Sequence, residues 1–124
     1  MAESSIQALT ILMVEDEAAL RRLVTTVLER QGFRVLSAES ATDALVVAQR
    51  LETSPDLVVT DLLLPGGSGL RLVARLRERW PDLPVIVVSG HPEQADEIPA
   101  GFAFLAKPFG TADLVAAVHE ALDR

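Results

Sequence analysis

Short apolar runs and helix-period stripes alternate along this chain, and few folds accommodate that alternation. Five runs, Leu9 to Val14, Phe33 to Ala38, Asp56 to Asp61, Pro84 to Ser89 and Phe102 to Lys107, have the length and the β-branched or aromatic content of strands. The first, third and fourth are apolar almost throughout, as strands covered on both faces are. Between the runs the period changes. Leu20, Leu23, Val24, Val27 and Leu28 recur at i, i+3, i+4, i+7 and i+8, which predicts a helix with one buried stripe. Ala41, Ala44, Leu45 and Ala48 form a second stripe behind Ser40, an N-cap residue with Asp43 three positions on. Leu72, Val73 and Leu76 form a third after Ser68, and Leu114, Val115, Val118, Ala121 and Leu122 a last one with Thr111 as its cap. Strand–helix alternation calls for an α/β fold: a doubly wound, five-stranded parallel sheet with right-handed crossovers and helices on both faces.

The stretch GHPEQADEIPAG between the fourth and fifth runs breaks the pattern. Two prolines and two glycines in twelve residues leave room for a loop or one or two helical turns, so the fourth helix is expected to be short or irregular. At 124 residues the chain reads as one domain over 1–124, with 1–8 a loosely ordered N-terminal segment. A net charge of −7 disfavours nucleic acid and anionic membrane as partners and leaves proteins and cations. There is no cysteine, hence no disulfide framework or thiolate metal site. No apolar run approaches the ~20 residues of a membrane span, and the first ten residues lack the pattern of a secretory signal, so the expected location is cytoplasmic.

In an open parallel sheet ligands bind beyond the carboxyl ends of the strands, where strand order reverses. The first run ends at Glu15 and Asp16, the third at Asp61, the fourth at Ser89 and Gly90, and the fifth at Lys107 and Pro108. Taken singly, each has a bland reading: helix-capping carboxylates, a turn former, a loop hydroxyl, a solvated ammonium. Lys107 is, however, the only lysine among eleven Lys and Arg residues, a compact ammonium in an arginine-biased chain. As a set the residues make chemical sense. Three carboxylates close together raise one another's pKa unless a cation neutralises them, and all-oxygen ligands suit Mg2+. A hydroxyl, an ammonium and backbone amides are what a transferred phosphoryl group needs, with Asp61 as its acceptor.

These residues and their order resemble the receiver domain of two-component response regulators over essentially the whole chain. The matching pieces are VEDE at 14–17, TDLLLPGGSG at 60–69, VSG at 88–90 and LAKPF at 105–109. The resemblance implies a flavodoxin-like sheet of order 2-1-3-4-5 and phosphorylation of Asp61 by a histidine kinase with Mg2+. It implies direct ligation of the ion by Asp16, a more distant or water-mediated role for Glu15, and the Leu63 carbonyl as a third protein ligand. Ser89 and Lys107 would bind the phosphoryl oxygens, with the bond from Lys107 to Pro108 cis. Phe104 would swing inward as Ser89 moves, repacking the face formed by the fourth helix, the fifth strand and the final helix. The implied partners are a sensor histidine kinase or phosphotransfer protein and a downstream protein target, the chain being a monomer or weak homodimer.

The sequence also departs from the family pattern. Glu15 stands where aspartate is commonest, and Leu63 and His91 occupy positions that tune dephosphorylation. The span from Ser89 to Lys107 is about four residues short, a loss that falls in the fourth helix and is also seen in receivers fused to sensor kinases. Rival readings fare worse. A phosphohydrolase with Asp61 as nucleophile wants a second aspartate at the Leu63 position as acid–base. A nucleotide or flavin carrier wants a small-residue phosphate loop where VEDEAA stands, and Gly66, Gly67 and Gly69 read as a flexible turn into the third helix. A degenerate receiver serving only as an interaction module is the alternative, opposed by the complete Asp16, Asp61, Ser89 and Lys107 set. Trp80 reads as packing, and His119 carries no catalytic role.

Overall fold

The computed structural model describes residues 8–123, so the expectation for residues 1–8 lies outside it except at exposed Ala8. Five strands, β1 (Thr10–Val14), β2 (Arg34–Ala38), β3 (Leu57–Asp61), β4 (Val85–Ser89) and β5 (Ala103–Ala106), pair in parallel in the order β2-β1-β3-β4-β5. This is the expected sheet, with each predicted run trimmed at its first residue and the fifth at its last as well. β3 and β4 are buried at every position, which is why both read as continuous apolar segments.

Alternation along each strand splits the core in two. Leu12, Val14, Val58, Val85 and Val87 face α2 (Ala41–Gln49) and α3 (Gly69–Arg79) through Ala44, Ala48, Leu72, Val73 and Leu76. Ile11, Met13, Val59, Ile86 and Val88 face α1 (Ala18–Arg30) and α4 (Thr111–Leu122) through Val24, Leu28, Leu114, Val118 and Ala121. Each buried Val, Leu, Ile or Met among them stabilises the fold by about 1.5–3 kcal/mol relative to exposure, and each alanine by less. Leu23, expected on the buried stripe of α1, is instead 56% exposed. Val24 and Leu28 fill the contact with the sheet, and Leu23 lies on the shoulder of that stripe.

Of the two caps expected, Ser40 forms and Thr111 does not, while Ser68 caps the third helix. The Ser40 hydroxyl accepts from the Asp43 amide at 3.0 Å, and the Ser68 hydroxyl accepts from the Leu70 amide at 3.0 Å. Thr111, expected to cap the last helix, is its first helical residue. Extended Gly110 precedes it and donates its amide to Asp113 Oδ2 at 3.3 Å. The irregular fourth connection is a six-residue 3-10 helix, Pro92–Glu97. A feature with no clear signature in the sequence is a two-residue antiparallel pair, Leu63–Leu64 with Gly67–Ser68, turned at Gly66 with φ +77°.

Candidate functional site

Strand register assembles the polar residues. Val14 pairs with Thr60, Asp61 with Val88 and Ser89 with Ala106, so Glu15, Asp61, Ser89 and Lys107 leave the sheet at one carboxyl edge. The edge continues as hydrogen bonds past the last paired residues: Glu15 N to Ala38 O at 3.0 Å, Leu62 N to Val88 O at 2.8 Å and Lys107 N to Ser89 O at 2.8 Å. A cleft of about 180 Å³ opens there, lined among others by Asp16, Asp61, Leu63, Ser89, His91 and Lys107.

Lys107 Nζ lies 2.9 Å from Glu15 Oε1 and 3.0 Å from Asp61 Oδ1, and both carboxylates are buried. Glu15 Oε2 also accepts the Glu17 amide at 3.0 Å. Asp16 is exposed at the mouth, and oxygens of Glu15, Asp16 and Asp61 come within 4.8 Å of one another. Burial, reinforced by the neighbouring Glu15, pushes the Asp61 carboxyl up to about 7 against the pull of Lys107. Burial also acts to raise Glu15, but hydrogen bonds from Asp61, the Glu17 amide and Lys107 outweigh it and leave that carboxyl below its usual value. Lys107 is raised, because the two carboxylates overcome its desolvation.

Three ionised carboxylates against one ammonium leave two negative charges in the cleft, and a proton on Asp61 is the metal-free way to reduce them. Hard oxygen donors in this number fit a divalent cation such as Mg2+. Phe104 sits on β5 three residues before Lys107, half-buried and outside both core clusters. His91 is exposed on the rim, its Nδ1 3.5 Å from Glu93. The Lys107–Pro108 bond is cis, as expected.

Trp80 and His119 stand apart from the cleft. Trp80 packs against the α2–α3 core beneath the Arg79 guanidinium, 4.5 Å from its ring centroid. Exposed His119 stacks obliquely on Phe33 with ring centroids 5.9 Å apart.

Four contributors escaped the sequence reading. Gly69, read as part of a flexible turn, is buried, and its amide donates to Leu62 O at 2.7 Å. Any Cβ there would collide with the Asp61 carbonyl oxygen, so this glycine serves a close approach. Thr60 Oγ1 donates to that same carbonyl at 2.9 Å. Arg21 donates to Glu15 O at 2.8 Å and Asp16 O at 3.4 Å, fixing the loop that carries the acidic pair. Gln94 Oε1 accepts the Ser89 hydroxyl at 3.1 Å. Only the glycine-rich PGGSG carried a signal, and it does not say which glycine is crowded.

Known proteins match this arrangement. The family profile described as Response regulator receiver domain matches residues 11–119. The KDP operon transcriptional regulatory protein KdpE of Escherichia coli K12 is 42% identical over 118 residues, covering 92% of this chain and 51% of that protein. Sensor kinase CckA of Brucella abortus strain 2308 is 38% identical over 119 residues, covering 93% of this chain and 13% of that protein. This chain therefore spans about half the length of KdpE and a small part of CckA. A receiver domain protein from Clostridium thermocellum superposes with a TM-score of 0.83 at 31% identity, covering 94% of this chain and 95% of that one. The receiver domain of the hybrid histidine kinase CckA gives 0.80 at 32% identity, covering 91% and 98%. The profile begins inside β1, ends inside α4 and runs through every polar residue of the cleft, so this chain belongs to the response regulator receiver domain family of two-component systems.

Proposed function

We propose that residues 1–124 form a single cytoplasmic receiver domain that accepts a phosphoryl group on Asp61 from a sensor histidine kinase or phosphotransfer protein. The observation that carries this reading is the buried Asp61 carboxylate, 3.0 Å from Lys107 inside an acidic cluster and facing a cleft. Receiver domains bind Mg2+ through acidic residues. Here Asp16, Glu15, Asp61 and the Leu63 carbonyl would hold the ion, which would neutralise charge on the phosphoryl oxygens.

The remaining chemistry belongs to the chain's own side chains. Asp61 must lose its proton before it can act, and a cation held by the acidic cluster would lower the raised pKa that keeps the proton there. The carboxylate oxygen then attacks phosphorus, the bond from phosphorus to the donor breaks, and its electron pair leaves with the donor. Lys107 exchanges an Asp61 oxygen for a phosphoryl oxygen, and Ser89 donates to another. Ser89 and Phe104 then shift the equilibrium of the face built from the 3-10 helix, β5 and α4, which a downstream protein target reads. Leu63 and His91, at the cleft's rim, set access of water and hence phosphoryl lifetime. The domain assists its own phosphorylation and dephosphorylation without being a metabolic enzyme, acts as a monomer or weak homodimer, and needs neither nucleic acid nor membrane.

Intact mass after incubation with a small acyl phosphate and Mg2+ tests this. One added phosphoryl group is expected, absent in Asp61→Asn and in EDTA. A folded, Mg2+-binding protein that gains no mass would leave a degenerate receiver acting as an interaction module.

A further inference from the structure

A serine hydroxyl has one proton to donate. In Ser89 that proton is already committed: it goes to Gln94 Oε1 at 3.1 Å, while Oγ accepts the His91 amide at 3.0 Å. Gln94 reaches Ser89 because the chain turns back at once after β4, its own amide bonding to His91 O at 2.9 Å as the 3-10 helix begins. Around it, Glu93, Ala95, Asp96 and Glu97 are exposed, and Gln94 alone among these neighbours is half-buried. Its bond to Ser89 is the one side-chain hydrogen bond from the 3-10 helix to the sheet among the described residues.

We infer that Gln94 is a positioning residue that holds the Ser89 hydroxyl off the phosphoryl position and thereby ties the 3-10 helix to the unphosphorylated state. The inference rests on Asp61 being the phosphoacceptor and adds how that site is restrained. The hydroxyl cannot donate to Gln94 and to a phosphoryl oxygen together. A charged phosphoryl oxygen is the stronger acceptor, so it takes the proton over and Gln94 is released. Occupancy of the cleft is thereby reported to the exposed helix through the loss of one bond. An apolar side chain at this position removes the competition, and a net hydrogen bond corresponds to about a two- to tenfold change in an equilibrium.

Beryllofluoride, a phosphoryl mimic, is titrated into the Mg2+-loaded protein and followed by fluorine NMR. Gln94→Leu and Gln94→Met, two apolar side chains of similar length on an exposed segment, are expected to bind it about two- to tenfold more tightly than wild type. In a Ser89→Ala background the same substitutions are expected to change nothing. Unchanged or weaker binding in the Ser89 protein overturns the restraint, as does an equal gain without the Ser89 hydroxyl. In either case Mg2+-dependent binding by wild type, lost in Asp61→Asn, leaves the phosphoacceptor reading standing. A wild type that binds no beryllofluoride removes both.

Discussion

Two connections leave the same sheet edge and flank the same cleft, yet they are held very differently. From β3 to α3 the backbone is pinned at almost every step: Leu62 N to Val88 O, Gly69 N to Leu62 O, the Leu63–Leu64/Gly67–Ser68 pair and the Ser68 cap. Leu62 and Leu64 are buried beneath it. From β4 to β5 a 3-10 helix with mostly exposed side chains has one side-chain hydrogen bond to the sheet among the described residues, that of Gln94, and the packing on the core comes after it, from half-buried Ile98 and Phe102. The first connection follows Asp61, the proposed acceptor, and the second follows Ser89, the proposed switch hydroxyl. A nucleophile must be held in place, whereas a reporter of occupancy needs a low cost of moving, and the two connections differ in the sense those proposed roles require.

The largest effect is expected from breaking the pinned side. Gly69→Ala forces a methyl group into the Asp61 carbonyl oxygen and Thr60 Oγ1, two groups that cannot both retreat from a fully buried strand end. Overpacking of this kind costs about 3 kcal/mol, read as a shift in urea midpoint at unchanged m-value. Phosphorylation should fall with it, because the carbonyl displaced belongs to the proposed acceptor itself.

Next comes the charge held in place by that rigidity. The Asp61 carboxyl is raised in the folded protein to about 7, so its contribution to stability is full below its unfolded value and is lost as pH rises through about 7. Asp61→Asn removes this penalty. The variant should therefore gain on wild type as pH rises from about 4 to about 8, by roughly 2 kcal/mol once solvent screening is allowed for. Added Mg2+ should close the gap by stabilising wild type alone. Thermal melts across that pH range decide it, and a gap that ignores pH would mean that Asp61 stays ionised throughout.

Much of the pinned region was legible in the sequence; of the other connection, the short, irregular fourth helix was legible but its tie to Ser89 was not. Strands β1, β3 and β4 announce themselves because burial on both faces demands unbroken apolar runs, and Asp61 is conspicuous as the charge that ends one. Strand ends in a parallel sheet share an edge, so the acidic pair, Asp61, Ser89 and Lys107 could be grouped before any distance was available. Gly69 could not be singled out, since its role depends on α3 starting against the carbonyl of Asp61, a contact that glycine content alone does not encode. Gln94 was hidden for a related reason: a polar residue in a polar loop looks solvated until the turn at His91 folds it back on Ser89. Leu23 shows the converse, an apolar residue at core spacing that the finite width of the helix–sheet contact leaves outside.

The smallest effect should come from the loosely held side. His91 and Glu93 approach to 3.5 Å with side chains 61% and 72% exposed, a surface contact whose gain is offset by the entropy of holding two solvated side chains together. His91→Ala/Glu93→Ala should unfold within about 0.5 kcal/mol of wild type. Hydrogen exchange carries the same contrast to individual amides. Those of Leu62 and Gly69, bonded to carbonyls at 2.8 and 2.7 Å beneath buried side chains, should exchange only on global unfolding. Those of Gln94 and Ile98, closing turns of the 3-10 helix, should exchange through local opening in wild type and variant alike. A double variant that loses more than about 1 kcal/mol, or a 3-10 helix as protected as the β3–α3 turn, would erase the distinction. The Ser89 hydroxyl would then adjoin a segment as fixed as the one beside Asp61, and the proposed movement would have to be driven against the core.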